Sequence, residues 1–362
     1  MGKIICALEN LGGVIMNVLV TGNLGYIGPV LGKFLKDCYS NLNLTGFDTG
    51  YFSSCLTSYI FNPDTIYDFQ IYGDIRTSNF DFLDGIDIVV HLAGISNDPM
   101  GNNFEKVTSQ INSDSSYKFA KIAKEKGVSK FIFASSCSMY GSANSDPKKE
   151  SDSLNPLTAY ARSKLFMEEK LKLLSDNSFE STCLRYSTAC GMSSRLRLDL
   201  VLNDFVASSI SNKSIEILSD GSPWRPLIDV QDMSRSIAWA ISRNSGENFL
   251  AINVGKNEWN YQVKEIANTV ADVLGGVKVK INSDASPDKR SYKVDFSLYE
   301  SIAKDFLPSV SIEQSAIEIY DGLKKINFSD KDFRNSSLIR LKTLNMLKES
   351  SFLTEDLYWN FP

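Results

Sequence analysis

Tyrosine–lysine pairs four residues apart are the pattern in this chain that could do acid–base chemistry. On one helix face, the ammonium lowers the pKa of the phenol and makes it a usable proton donor or acceptor. The spacing occurs three times, at Tyr117/Lys121, Tyr160/Lys164 and Tyr320/Lys324. Two of the three must be coincidences, so the spacing alone selects none of them.

The residues before the second pair distinguish it from the other two. It follows a predicted apolar strand, 130–134, whose exit is rich in hydroxyl groups. Ser136 lies in this exit, 24 residues before Tyr160, and its hydroxyl could bind the same substrate oxygen as the phenol. We therefore predict that Ser136, Tyr160 and Lys164 act together.

A second pattern, NVLVTGNLGYIG at 17–28, predicts a turn that binds phosphate groups. An apolar run breaks directly into Gly22, Gly25 and Gly28. Such glycines allow a sharp turn, close approach of backbone to a diphosphate, and tight packing of the following helix. The N–H groups and dipole of that helix attract an anion. The spacing GxxGxxG is one residue longer than the usual dinucleotide fingerprint, and an ordinary strand–turn–helix is the alternative.

The next predicted strand, 43–47, favours a dinucleotide. It ends at Asp48, 26 residues after Gly22. A carboxylate at this place accepts hydrogen bonds from the adenosine ribose and repels a 2′-phosphate. The following residues, 49–51, include no arginine that could bind such a phosphate. We therefore predict NAD, rather than NADP, as the cofactor.

Alternating strands and helices must position these groups. Strands are predicted at 17–21, 43–47, 69–72, 87–91, 130–134 and 181–184, and helices most clearly at 107–126 and 160–175. This alternation predicts βαβ units and a Rossmann-like α/β fold with a doubly wound parallel sheet. The carboxyl ends of the strands in such a sheet face the ligand.

After residue 184 the pattern loosens, which predicts a smaller, interleaved substrate lobe. We expect an NAD-binding domain at 16–184, with 226–254 returning to it, and a substrate-binding lobe formed by 185–225 and 255–330. Residues 1–15 would be an N-terminal extension, and 331–362 a C-terminal helical tail. An apolar stripe in this tail indicates a core or subunit contact. The stripe comprises Leu338, Leu341, Leu344 and Leu347.

The bulk composition excludes several classes of function. The 362 residues are 43% hydrophobic and 22% charged, with a net charge of −5 and no long basic run, so we expect neither a nucleic-acid nor a membrane partner. The six cysteines are scattered without a CxxC pair, which argues against a zinc site or a disulfide framework. The start lacks the features of a signal peptide. A cytoplasmic location fits best.

The single histidine, His91, is interpreted as structural rather than catalytic. It ends the apolar run 88–90, so it should lie at the carboxyl end of a strand near the cofactor. One histidine cannot form a histidine pair or a histidine-rich metal site, so we expect no bound metal.

Together, these motifs resemble the extended short-chain dehydrogenase/reductase family, in particular its nucleotide-sugar epimerase, dehydratase and reductase branch. In chain order they are GNLGYIG at 22–28, Asp48, Gly73-Asp74-Ile75, HLAG at 91–94, SSCSMYG at 135–141, Tyr160-Ala-Arg-Ser-Lys164, and RPLIDVQD at 225–232. The resemblance runs from about residue 17 to 295. Residues 194–205 and 287–292 are similar to bacterial members that modify sugars for surface polysaccharides, including heptoses.

The resemblance implies roles for the matching residues. Tyr160 would be the acid/base, with Ser136 on the substrate hydroxyl and Lys164 on the nicotinamide ribose. The cofactor site would comprise Gly22, Asn23, Leu24, Gly25, Tyr26, Ile27, Gly28, Asp48, Asp74, Ile75, Leu92, Ala93, Gly94, Tyr160, Lys164 and Tyr186. We also expect a homodimer.

The substrate implied by the resemblance is a nucleotide-diphosphate sugar. Arg225 matches an arginine that grips the substrate diphosphate, where a guanidinium fork suits paired phosphate oxygens. Arg290 and Asn203 are weaker candidates for the same site. An ordinary surface salt bridge is the alternative for each arginine.

Two departures from the family pattern reduce the number of reactions that the chain could catalyse. Dehydratases and decarboxylases carry an acidic residue where this chain has Ser138, and the catalytic cysteine of sugar-fucose synthases is offset by one from Cys137. We interpret Cys137 as a small buried residue and predict an epimerase that oxidises the sugar transiently, at C4. A 4-reductase or dehydrogenase would use the same residues. A non-catalytic dinucleotide-sensing protein on this fold is the alternative from another class.

Overall fold

The computed structural model of the protein describes residues 15–57, 61–141, 146–244, 246–282 and 291–360. Its strands are β1 Met16–Thr21, β2 Leu42–Asp48, β3 Phe69–Tyr72, β4 Ile88–His91, β5 Lys130–Ser136, β6 Glu180–Tyr186, β7 Thr188–Cys190, β8 Ser214–Ile217, β9 Trp224–Asp229, β10 Phe249–Val254, β11 Asn260–Gln262 and β12 Lys278–Ile281. Its helices are α1 Gly28–Cys38, α2 Asp98–Asn103, α3 Glu105–Ser109, α4 Ser116–Glu125, α5 Ala159–Leu174, α6 Val201–Ser211, α7 Val230–Ser242, α8 Val263–Val273, α9 Ser297–Ile302, α10 Ile312–Lys325 and α11 Arg340–Glu349.

A seven-stranded parallel sheet, in the order β3–β2–β1–β4–β5–β6–β10, confirms the predicted fold class. Its central strands are apolar and buried on both faces, as parallel strands covered by helices must be. Helices α1 and α7 pack on one face, and α4 and α5 on the other. The strand order reverses beside β1, between β2 and β4, which is where open α/β sheets bind ligands.

The predicted helix at 107–126 is interrupted. Between α3 and α4 the chain makes a π-helical turn, Gln110–Ser115. Asn112 of this turn is buried, and its amide bonds the backbone N–H and C=O of Ile95 at 2.8 and 2.9 Å. The π-helical turn thus fixes the loop that follows β4, in keeping with the frequent use of such turns near functional sites.

The later part of the chain forms smaller sheets beside the large one. Strands β7, β9 and β11 make a three-stranded sheet, while β8 pairs with β12. Helices α6, α8 and α10 share an apolar core with these strands. Within 226–254, β9 belongs to the small sheet, and the chain rejoins the large sheet through α7 and β10. The leucine stripe of the tail packs into the two cores. Within the described ranges, no helix is both long and apolar enough to cross a bilayer.

A buried ion pair ties α5 to the two strands beneath it. Arg185 of β6 donates to Glu168 of α5 with an Nη2–Oε2 distance of 2.7 Å, and both side chains are buried. Ser135 of β5 donates to the same carboxylate at 2.5 Å. These bonds join three elements beside the predicted catalytic residues, because Ser136 follows Ser135 and Tyr160 lies on α5.

Replacing Glu168 by alanine should lower the free energy of unfolding by about 3–5 kcal/mol, because the guanidinium of Arg185 would stay buried without its carboxylate. Urea unfolding of wild type and Glu168→Ala measures this difference. Glu169→Ala, at the exposed neighbouring position, is the matched control and should stay within about 0.5 kcal/mol of wild type. Equal losses in the two variants would show that the buried pair does not stabilise the fold.

Candidate active site

A cavity of about 750 Å³ opens at the carboxyl ends of the parallel strands, between the large sheet and the smaller part of the chain. Its size suits a cofactor or substrate. The predicted site residues that line it are Gly22, Gly25, Tyr26, Ile27, Asp48, Asp74, Ile75, Leu92, Ala93, Gly94, Ser136, Tyr160, Lys164, Tyr186 and Arg225. Residues from eight separate parts of the sequence thus meet at one place.

The glycine turn has the geometry of a phosphate cradle. Gly22 has φ +74°, and a Cβ there would lie 2.6 Å from the backbone nitrogen of Ala93. A Cβ on Gly28 would lie 1.9 Å from the backbone oxygen of Asn23, so both positions require glycine. Helix α1 begins at Gly28, which directs its free N–H groups toward the turn. These features fit the diphosphate of a dinucleotide.

Asp48, at the end of β2, is joined to this turn. Its carboxylate accepts the backbone N–H of Leu24 at 3.0 Å and that of Gly50 at 2.7 Å. Burial raises the pKa of Asp48, and these two hydrogen bonds oppose the rise. The same carboxylate lines the cavity, as ribose recognition requires. Asp74, farther along this wall, is held by Arg76 with an Nη2–Oδ2 distance of 2.6 Å.

Not every predicted residue lines the cavity. Asn23 and Leu24 are buried within the glycine turn, where the amide of Asn23 donates to Gln70 at 2.6 Å. Asn203 is buried too, accepting from the backbone N–H of Gly191 and donating to the backbone oxygen of Arg197. These three side chains, like Gly28, do not line the cavity but pack against the residues that form its walls. Arg290 lies outside the described residues.

The predicted catalytic residues meet where β5 ends and α5 begins. Thr158 caps α5 by accepting the backbone N–H of Ala161, which sets Tyr160 in the first turn. The Tyr160 phenol is hydrogen-bonded to Ser136. The Lys164 ammonium donates to the backbone oxygen of Ala134 at 2.6 Å and lies 5.5 Å from the centre of the Tyr160 ring.

Burial shifts the pKa values of Tyr160 and Lys164 in the directions that favour their neutral forms. It raises the pKa of Tyr160 to about 12, although the hydrogen bond to Ser136 opposes the rise. It lowers the pKa of Lys164 to about 8. At neutral pH the phenol therefore carries its proton and the ammonium its charge. This arrangement can hold a substrate hydroxyl between two hydroxyl groups and exchange a proton with it.

The other two tyrosine–lysine pairs do not line the cavity. Tyr117 packs edge-on against Phe166, and Tyr320 lies on α10 with Lys324 5.5 Å from its ring centre. The geometry of the pair on its helix face is thus similar in Tyr320/Lys324 and Tyr160/Lys164. The two pairs differ in that only Tyr160/Lys164 lies beside the exit of a strand.

His91 and Cys137 occupy the structural positions expected of them. His91 is fully buried, its ring nitrogens 2.8 Å from the hydroxyl of Thr21 and 2.9 Å from that of Ser116. Burial lowers its pKa to about 3, which keeps the imidazole neutral. Cys137 is buried, and its thiol donates to the backbone oxygen of Arg185. Burial also raises the pKa of the Cys137 thiol.

A charged bridge across the cavity was missed by sequence reasoning. Arg197 binds Asp199 through two hydrogen bonds of 2.9 and 2.8 Å and donates to the Ser96 hydroxyl at 3.0 Å. Asn97 donates to Asp199 at 2.7 Å. The bridge joins the loop after β4 to the segment before α6. The alternating arginines of RLRLD at 195–199 were a signal for it, because charges between leucines have to find partners when buried.

Tyr292 is a second residue that sequence reasoning did not single out. Its side chain is buried and lines the cavity. The charges of Arg225 and Asp98 and the Tyr160 phenol all influence its pKa, which burial raises. It therefore lies near both the predicted catalytic tyrosine and the predicted diphosphate-binding arginine. Among the described residues, no group of His, Cys, Asp or Glu could hold a metal ion.

The fold and this site define a dinucleotide-binding enzyme of the Rossmann class. A family model described as the NAD dependent epimerase/dehydratase family matches residues 18–255. The chain belongs to this family, and its cofactor is NAD. This confirms the resemblance to the nucleotide-sugar branch of the extended short-chain dehydrogenases/reductases.

Individual proteins are similar over most of their length. A putative UDP-glucose 4-epimerase of Methanocaldococcus jannaschii is 24% identical over 320 residues, covering 86% of this chain and 99% of the relative. The solved structure of MoeE5 in complex with UDP-glucose and NAD has a TM-score of 0.73 at 23% identity, covering 85% of this chain and 99% of its own. The UDP-glucuronic acid 4-epimerase from Bacillus cereus, solved with UDP-glucuronic acid and NAD, has a TM-score of 0.71 at 24% identity, covering 86% and 100%.

Removing the Tyr160 hydroxyl should abolish most turnover and leave NAD binding nearly intact. Loss of a positioned acid/base costs roughly 10²–10⁴-fold in rate, so steady-state kinetics and an NAD titration of Tyr160→Phe measure both expectations. Tyr117→Phe and Tyr320→Phe are matched controls, because each has the same helical spacing to a lysine, and they should turn over like wild type. A control variant as impaired as Tyr160→Phe would contradict this assignment.

Proposed function

We propose that the protein is an NAD-dependent nucleotide-sugar epimerase that inverts C4 of the sugar through transient oxidation. The observation that carries the proposal is the meeting, in one cavity, of the glycine turn, the Ser136–Tyr160–Lys164 set and Arg225. The similarity to proteins named as UDP-sugar 4-epimerases supports it.

The reaction needs a hydride acceptor and a proton acceptor at the same carbon. NAD, held by the glycine turn and Asp48, would supply the first as a reversible hydride acceptor for C4. The Tyr160 phenol exchanges the proton of the C4 hydroxyl, and Ser136 binds that oxygen. The charge of Lys164 favours the deprotonated form of the phenol. Inversion follows when the keto-sugar intermediate rotates in the cavity before it is reduced and so presents its other face to the hydride donor.

The residue at position 138 supports epimerisation over dehydration. Elimination of water needs an acid and a base beyond the tyrosine, and Ser138 stands where dehydratases have a carboxyl group. The Ser138 hydroxyl accepts a hydrogen bond from Ser136 at 2.9 Å. Asp98 also lines the cavity, but its carboxylate accepts the Thr158 hydroxyl at 2.7 Å and so helps to anchor the start of α5.

Cofactor balance tests the reaction and separates it from the alternatives. We expect the purified protein to contain NAD and to interconvert UDP-glucose, UDP-N-acetylglucosamine or UDP-glucuronic acid with its C4 epimer without added cofactor. Chromatography of the sugars and NADH absorbance provide the measurement. Stoichiometric accumulation of NADH would indicate a dehydrogenase, and consumption of NADH a 4-reductase. Bound NAD without turnover of any nucleotide sugar would favour a non-catalytic protein.

Arg225 is proposed to bind the substrate diphosphate. It lies on β9, beside Tyr292, and its Nη1 donates to the backbone oxygen of Trp224 at 2.8 Å. Asn203, our other described candidate for this role, makes bonds within the protein instead.

Arg225→Ala should weaken UDP binding roughly 10–100-fold, because a charge-assisted contact to phosphate is worth about 1.5–3 kcal/mol. Calorimetric titration with UDP and, separately, with NAD measures the effect, and NAD affinity should not change. Arg225→Lys should restore little, since a point charge does not reproduce the two-pronged geometry. Arg162→Ala, which removes an exposed arginine, is the control. Unchanged UDP affinity in Arg225→Ala would remove this residue from the site.

Two further expectations belong to this proposal. The resemblance supports a homodimer, which sedimentation would test. The five described cysteines form no disulfide with one another. This is compatible with the proposed location of the protein in the reducing cytoplasm.

A further inference from the structure

Helix α11 follows the matched family region and returns to the wall of the cavity. Its first residue, Arg340, lines the cavity and is 1% exposed. The guanidinium lies 4.9 Å from the ring centre of Phe52, and its Nη2 donates to the backbone oxygen of Arg195 at 2.7 Å. The other terminal nitrogen, Nη1, is buried and has no hydrogen-bond partner.

The charges around Arg340 leave its own charge poorly compensated. Arg197 is bound through two hydrogen bonds to Asp199, and Arg195 lies 2.7 Å from the carboxylate of Asp64. In the described part of the chain, Arg340 has no such carboxylate partner. Burial, together with the repulsion of Arg197 and Arg195, lowers the pKa of Arg340 to about 10, although Cys55 and the carboxylate of Asp199 oppose the shift. A buried cation without a partner is costly, which points to an anion that arrives with a ligand.

The position of Arg340 indicates which ligand brings this anion. Phe52, on which the guanidinium stacks, belongs to the segment that follows Asp48, and both line the cavity with the glycine turn. Arg225, at the proposed substrate end, lies instead on β9 beside Tyr292. A diphosphate of NAD held at the glycine turn would be the anion on the Phe52 side of the cavity.

The chain after α11 is bound to the same segment, which keeps the helix in place. Trp359 donates its indole N–H to the backbone oxygen of Thr49 at 2.7 Å. Arg76 donates to the backbone oxygens of Asp356 and Leu357 at 2.6 and 3.0 Å. The C-terminal segment 340–359 is thus attached to the cofactor wall at its helix and again near its end.

We propose that Arg340 binds the diphosphate of NAD, so that the C-terminal segment 340–359 completes the cofactor site. The inference rests on NAD occupying this cavity as in the proposed function. Nη2 of the guanidinium is bonded to the backbone oxygen of Arg195, whereas Nη1 is unused within the protein and can donate to a diphosphate oxygen.

Ligand titrations of Arg340→Met test the assignment, with Lys342→Met as the matched control. Lys342 is an exposed cation on the same helix. Affinities for NAD and for ADP-ribose, which keeps the diphosphate, should fall about 10–100-fold in Arg340→Met and stay unchanged in the control. Affinities for adenosine, which has no phosphate, and for UDP should be those of wild type. Arg340→Lys should recover part of the loss.

Hydrogen exchange of the wild-type protein tests the same contact without a variant. NAD and ADP-ribose should slow exchange of the α11 amides, and adenosine should not. A loss of UDP affinity with normal NAD affinity would assign Arg340 to the substrate diphosphate and overturn the proposal. Equal NAD affinity of Arg340→Met and wild type, or unaltered α11 exchange, would also overturn it. Failure of wild type itself to bind NAD would overturn the proposed function as well.

Discussion

The arrangement of the site depends on one constraint: β5 must deliver Ser136 to the same place where α5 begins. The parallel sheet brings the strand exit to the ligand edge, and the buried bonds of Glu168 with Arg185 and Ser135 hold the helix over the strands. A shift of one residue along α5 would turn Tyr160 away from the cavity. Because the carboxylate lies two turns beyond Tyr160 on the same helix, stability of the pair and geometry of the site are linked.

Much of the fold and part of the site could be predicted from local patterns. Strand β1 and the glycine turn are contiguous, and Asp48 ends the next strand. The hydrophobic periodicity and residue composition were therefore sufficient to predict these elements. The choice of Tyr160 among three tyrosines needed tertiary reasoning, but only the rule that strand exits meet at one edge. The interruption of the helix at 107–126 could not be predicted, because its π-helical turn is stabilised by the distant contact of Asn112 with Ile95.

The parts that sequence reasoning missed are contacts between distant segments. Arg197 and Asp199 contact Ser96 and Asn97, which lie 101 and 102 residues away in the sequence, so the contacts exist only in the folded chain. Asn203 is the converse case, since a residue expected at the substrate makes hydrogen bonds with the backbone of the cavity wall. A polar residue on a buried helix face satisfies the backbone or a ligand, and the sequence pattern is the same in both cases.

The same burial that organises the site opposes the chemistry proposed for it. A phenol with a pKa of about 12 holds its proton too tightly to act as a base at neutral pH. The hydrogen bond to Ser136 and the positive charge of Arg197 act in the opposite direction. Lys164, with a pKa of about 8, is charged below that pH. The proposed proton transfer therefore depends on the Lys164 charge and on the hydrogen bond between Ser136 and Tyr160. Tyr160 and Lys164 share helix α5, and the fold brings the end of β5 with Ser136 to them.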